Sequence, residues 1–259
     1  MKKQVPASET QPHPLLQRYY SALEHRAPFV RDLFNKTAPH YDRINTLFSL
    51  GSGRWYRREA LKHAGLRKGM RQLDVAIGTG LVAREGVILA GDRASVVGLD
   101  VSENMLAEAR RSLGIGLIQG RAEALPVADQ SVDLVSMGYA LRHVSDISLA
   151  FSEFHRVLKP GGIALILEIS QSTGRVGKAL TKVYLGWIVP FFARWTTSAA
   201  ETQTLMQYYW DTIENCVEPA VIMDRLRASG FVDVRCDVSL GVFRAYRARR
   251  TIEPQGGAE

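Results

Sequence analysis

The stretch LDVAIGTGLVA, Leu73 to Ala83, is an apolar run that ends in Gly78-Thr79-Gly80 and continues in residues suited to a helix. Glycines at such a bend let backbone N–H groups approach a ligand, because no Cβ intervenes and the required dihedrals are open to them. Asp100 closes the next β-like run, SVVGLD. A carboxylate at the C-terminal edge of a strand can accept both hydroxyls of a ribose, each charge-assisted bond contributing about 1.5–3 kcal/mol. Gly78-Thr79-Gly80-Leu81-Val82-Ala83 also satisfies the Gly-x-Gly-x-x-Ala pattern, so a nicotinamide or flavin dinucleotide fits this turn as well as another nucleoside cofactor does. Asp100 is not needed as a helix cap. Ser102 is better placed for that ahead of ENMLAEAR, with Met105 where a capping box would want Glu.

These residues need strands that end side by side and helices that start from those ends. From Arg71 the chain supplies them: RQLDVAI, SVVGLDV, GLIQG, VDLVSMG and GIALILEIS read as strands, with ENMLAEARRSL and ISLAFSEFHRVL among the helices between. Alternation of this kind predicts an α/β fold with a parallel sheet wrapped by helices. Residues 15–70 read as an N-terminal helical cap, with RDLFNKTAPHYDRIN broken at Pro39. Residues 71–170 form the expected cofactor-binding core and 171–206 an apolar helical lid. Residues 207–250 add YYWDTIENCVEPAVIMDRLRASG as one helix and two closing antiparallel strands. Residues 1–14 and 251–259 are expected to be disordered.

With 259 residues and 46% hydrophobic content, the chain can bury a substantial core. The two cysteines, Cys216 and Cys236, lie in no Cys-x-x-Cys or Cys/His spacing, so no metal site is expected and a reducing cytoplasm is the natural compartment. No run approaches the ~20 apolar residues of a membrane span, and no signal-peptide core is visible. The net charge of +7 invites a polyanion or an anionic membrane surface. The arginines are dispersed, however, and neither an Asn/Asp-Pro-Pro-aromatic tetrapeptide nor a Pro-Cys nucleophile is present. Nucleic acid is not an expected partner.

The downstream series GRAEALPVADQSVDLVSMGYALRHV and RVLKPGGIALILEIS resembles class I methyltransferases that use S-adenosylmethionine. LDVAIGTG looks like their first motif, GLDVSENML their second, and RVLKPGG the turn before their fifth strand. FNKTAPHYDRIN, ALRHVSD, LEIS and YYWDTIENC make the chain most similar to the ubiquinone/menaquinone biosynthesis C-methyltransferases, over roughly Phe34 to Arg249. The resemblance implies a Rossmann-like fold with a mostly parallel seven-stranded sheet and an antiparallel last strand. It implies that Gly78, Thr79 and Gly80 hold the cofactor's amino-acid end, Asp100 its ribose, Arg121 and Ala122 the adenine edge, and Gly138 the reactive region. Asp74, Val101 and Met105 complete the expected cofactor set. Two positions depart from the family pattern. Arg121 stands where Asp or Asn is usual and can only donate, and His143 replaces the Asn of Leu-Arg-Asn.

Methyl transfer needs alignment, a dry pocket and a nucleophilic acceptor. The resemblance points to Arg142 as stabiliser of a phenolate and to Tyr41 as a wall of the acceptor pocket. His143 is read as the base, since an imidazole titrates near neutrality. Tyr139 and Tyr208 are expected at the substrate. The segment Val183–Ala193, VYLGWIVPFFA, fits either a lid over a greasy ring or a contact with lipid headgroups. The expected acceptor is a small aromatic, a quinol or phenol. A natural-product tailoring enzyme with a less lipophilic acceptor, a non-catalytic cofactor-binding scaffold, peripheral membrane attachment and a homodimer remain open alternatives.

Overall fold

The computed structural model describes residues 10–49, 52–170 and 199–252. Seven strands form one sheet in the order β3-β2-β1-β4-β5-β7-β6. They are β1 Gln72–Val75, β2 Val96–Asp100, β3 Gly116–Gln119, β4 Val132–Gly138, β5 Leu158–Ile169, β6 Phe231–Ser239 and β7 Phe243–Arg250. All pairings from β3 through β5 are parallel, and β7 runs antiparallel to both β5 and β6. This is the Rossmann-like sheet with an antiparallel last strand expected from the sequence. Strand order reverses between β1 and β4, and the crevice at such a switch point is where open α/β sheets bind ligands.

β1 is buried at every position, as a central strand covered on both faces must be. Helices α4 (Leu81–Ala90), α5 (Glu103–Leu113) and α6 (Ile147–Val157) connect the parallel strands. Ser102 caps α5 by accepting the Met105 N–H at 3.1 Å, and Asp146 caps α6 through the amides of Ser148 and Leu149. The cap comprises α1 (Arg26–Thr37), α2 (Tyr41–Ser49) and α3 (Gly53–His63), with the break at Ala38-Pro39-His40 taken up by a 3-10 turn. Asn35 fixes the cap to α5, receiving the Ser102 hydroxyl at 2.6 Å and, on its carbonyl, the Asn104 amide at 3.0 Å.

The C-terminal segment corrects the sequence reading. One helix was expected from YYWDTIENC onward; there are two, α7 (Ala199–Asn215) and α8 (Pro219–Ala228). Pro219 has no N–H to continue α7, and it holds Glu218 extended at φ −63°, ψ 150° while serving as a first-turn residue of α8. α7 also runs through the expected lid boundary at residue 207. Val183–Ala193 lies outside the described residues. Among the described residues, no helix is long and apolar enough to cross a membrane, and no group of three metal-ligating side chains occurs.

Two glycines after β1 take left-handed dihedrals, and the second is also demanded by space. Gly78 has φ +57°, and Gly80, the residue preceding α4, has φ +92° with a Cβ position only 2.3 Å from Leu113 Cδ1. Gly80→Ala combines left-handed strain with a clash against α5, and is expected to lower stability by about 1–3 kcal/mol in urea melts.

Candidate active site

The bend after β1 is fastened by two buried aspartates. Asp100, at the end of β2, accepts the Gly78 amide on Oδ2 at 2.8 Å and the Ser102 amide on Oδ1 at 2.9 Å. Burial pushes its carboxyl above the usual range. Asp74, on β1, accepts the Ser136 hydroxyl and, at 3.0 Å, the Ala83 amide of α4. Burial pushes Asp74 up to about 7. The Thr79 hydroxyl donates to Asp42 of α2, so the cap reaches directly onto the glycine bend.

A cavity of about 520 Å³ opens over the C-terminal ends of β1, β2 and β4. Gly78, Leu99, Asp100, Val101, Met105, Arg121, Ala122 and Gly138 line it, and so do Phe34, Tyr41, Tyr139 and His143. Ala76 and Tyr139 follow β1 and β4 with φ of +54° and +61°, left-handed values that non-glycine residues adopt at a cost of about 1–3 kcal/mol. Such strain clusters where backbone must turn toward a ligand. Arg121 sits at the rim with its side chain 59% exposed, 3.3 Å from Glu123. Its planar head, paired with Glu123, stands beside the cavity, while Ala122 is buried in the wall.

Behind the cavity lies a charged cluster. Arg142, in the 3-10 turn Leu141–His143, forms an ion pair with Glu168 near the end of β5, both side chains 2% exposed. Its guanidinium also lies 5.0 Å from the centre of the Tyr209 ring. Arg26 of α1, buried as well, donates to His13 Nε2 at 2.8 Å and to the Arg142 carbonyl at 2.7 Å. The Tyr209 hydroxyl donates to that of Tyr41 at 2.9 Å. His143 is packed between Phe34, Tyr208 and Tyr209, at ring separations of 5.2, 5.4 and 5.8 Å. Both its ring nitrogens are buried with no hydrogen-bond partner among the described residues.

Several expected roles change. Asp74, Thr79 and Gly80 do not line the cavity: Asp74 is spent on joining β1, β4 and α4, and Thr79 and Gly80 shape the bend. Tyr208 is fully buried beneath His143 rather than lining the acceptor space. Arg142 does not line it either, and its partner is Glu168. His143 is a poor base, because burial and then the neighbouring Arg142, Arg26 and His13 hold it well below 6.5. Among the described residues no carboxylate orients it, and it packs as a neutral ring. The sequence reading passed over Asp42, Glu168, Arg26 and His13. Asp42 was visible beside Tyr41 in HYDRIN; the other three meet through contacts that no local pattern encodes.

A histidine neutral in the fold but protonated near 6.5 when unfolded favours the unfolded chain as pH falls below that value. Stability carried by a neutral His143 is therefore complete at pH 7.5 and falls by about 1.4 kcal/mol at pH 5.5. His143→Gln is expected to remove that part of the pH dependence, measured by urea melts at the two pH values.

The described geometry finds its parallels among known methyltransferases. Residues 21–248 match the model of the ubiE/COQ5 methyltransferase family. The chain is 34% identical over 211 residues to a demethylmenaquinone methyltransferase of Geobacillus kaustophilus, covering 79% of this chain and 89% of that protein. A demethylmenaquinone methyltransferase of Staphylococcus aureus is 35% identical over 187 residues, covering 70% and 75%. In structure, a SAM-dependent methyltransferase of Thermotoga maritima superposes with a TM-score of 0.60 at 19% identity, over 85% of this chain and 99% of that one, a likeness of fold alone. With the family match spanning the cap, the glycine bend and the closing strands, the chain belongs to the ubiE/COQ5 family of S-adenosylmethionine-dependent methyltransferases.

Proposed function

We propose that the chain methylates a phenol or quinol ring, with a prenylated demethylnaphthoquinol of the kind implied by its relatives' names as the leading acceptor. One observation carries this reading: a single cavity is lined both by the buried Asp100 carboxylate and by an aromatic wall of Phe34, Tyr41, Tyr139 and His143.

The residues suit S-adenosylmethionine. Asp100 accepts backbone amides on both oxygens and still lines the cavity, where a carboxylate can take a ribose hydroxyl. Leu99, Val101, Met105 and Ala122 offer apolar surface for a purine. When bound, S-adenosylmethionine supplies a methyl group already activated by its sulfonium and departs as neutral S-adenosylhomocysteine. The protein then has to hold, orient and dry the acceptor. Phe34, Tyr41 and Tyr139 supply flat apolar contact with an aromatic ring. His143 adds a neutral ring to the same wall, with its two nitrogens turned into the protein. The Tyr41–Tyr209 bond fixes Tyr41 against α7.

Incubation with labelled S-adenosylmethionine and a panel of prenylated demethylnaphthoquinols and free phenols, with and without lipid, tests the reading by mass shift. A methyl gain on prenylated quinols supports it; methylation of unprenylated phenols alone moves the chain to soluble small-molecule tailoring; no gain on any ring removes it. Asp100→Asn turns an amide donor toward the Gly78 N–H and is expected to weaken S-adenosylhomocysteine binding at least about tenfold by calorimetry. Since His143 packs as a neutral ring, His143→Phe is expected to keep turnover within about threefold at pH 7. A loss of about tenfold or more would return the histidine to a proton-transfer role.

A further inference from the structure

Among the described residues, the charges buried behind the acceptor wall do not balance. Arg142 is neutralised by Glu168, whereas Arg26, 2% exposed, meets only neutral acceptors among the described residues: the His13 imidazole and the Arg142 carbonyl. The other titratable groups that feel Arg26 are His143 in the 3-10 turn, Tyr20 ahead of α1, Tyr208 on α7 and Cys216 after it, none of them an anion near neutrality. A buried cation without a counter-charge is costly unless an anion arrives to share its field.

His13 is what holds Arg26 in place. Its Nδ1 bonds the Pro14 carbonyl at 2.8 Å, so that Nε2 is left as the acceptor that Arg26 uses. Burial, and then Arg26, hold His13 down at about 4, which keeps it an acceptor at neutral pH. The segment around it is tied to the core at two points: Thr10 O accepts the Ile147 amide of α6 and Pro12 O the Val217 amide beyond α7, both at 2.8 Å. This strap precedes residue 21, where the family match begins.

We propose that Arg26, braced by His13, is a buried charge whose field, added to that of the cavity-lining Arg31 and Arg121, lets the cavity take its phenolic acceptor as an oxyanion. The phenolic O–H bond breaks, its electron pair stays on the acceptor oxygen, and the proton leaves to water rather than to His143. Arg26 is a positioning residue: it lines no part of the cavity and acts through its field and through the Arg142 carbonyl beside His143. The proposal rests on the aromatic-acceptor reading above and specifies the ionisation state in which that acceptor is held.

The test uses 4-nitrophenol, whose ionisation is read directly from its absorbance, bound to the full chain in the presence of S-adenosylhomocysteine. The wild-type protein is expected to bind it with a pKa below that of the free phenol. Arg26→Met and His13→Leu are expected to raise the bound pKa by about one unit, and His13→Gln, which keeps an acceptor for Arg26, to leave it near the wild-type value. S-adenosylhomocysteine affinity stays within about twofold throughout, which separates a lost charge from a lost fold. Should Arg26→Met fail to fold, the contrast between His13→Leu and His13→Gln still decides. Equal bound pKa values in all variants would overturn the role of Arg26, whereas failure of the wild type to bind the phenol would remove the aromatic-acceptor reading and this inference with it.

Discussion

The structure depends on a carboxylate that reaches backward along the sheet. Asp100 lies at the end of β2, yet its two oxygens hold the amides of Gly78 and Ser102, so the bend after β1 and the start of α5 share one anchor. On the other side of the same bend, Asp74 ties β1 to Ser136 of β4 and to the first turn of α4. Both acids are buried, and their desolvation is offset by backbone and hydroxyl donors rather than by cations. The result is a glycine bend clamped from both flanks, with Gly78 and Asp100 facing one cavity. The cap adds a third clamp through Asp42 and Thr79.

Around the acceptor wall a different economy operates. Here cations are buried, and burial first, then their charge, holds the His143 and His13 imidazoles neutral. A positive field beside the wall favours an acceptor oxygen that carries negative charge. The same cluster links the strap at residues 10–14, α1, the 3-10 turn after β4, the end of β5 and α7. Substrate geometry and the packing of cap on core are thereby coupled through a few polar contacts.

Much of this was legible in the sequence, for identifiable reasons. β1, β2 and β4 are short, mostly apolar runs because both faces are covered, and the bend after β1 announces itself by glycines suited to left-handed dihedrals. Ser102 as cap and Pro39 as breaker are local chemistry, and the structure has both. The break at Pro219 was equally local and was overlooked. His143 was misjudged because a reference pKa says nothing about burial between three aromatic rings. The resemblance assigned Arg142 to the substrate; its ion pair with Glu168, 26 positions later on a different strand, left no local signal. Arg26 and His13 carry no motif at all; their meaning arises only when α1 is packed against the turn that carries Arg142.

The account stands or falls on what the clamped bend and Asp100 grip. Calorimetric titration of the purified chain with S-adenosylmethionine and, separately, with NADH measures this most directly. The structure predicts saturable heat with one site per chain for the sulfonium compound and none for the dinucleotide. Binding of NADH with silence for S-adenosylmethionine would contradict it.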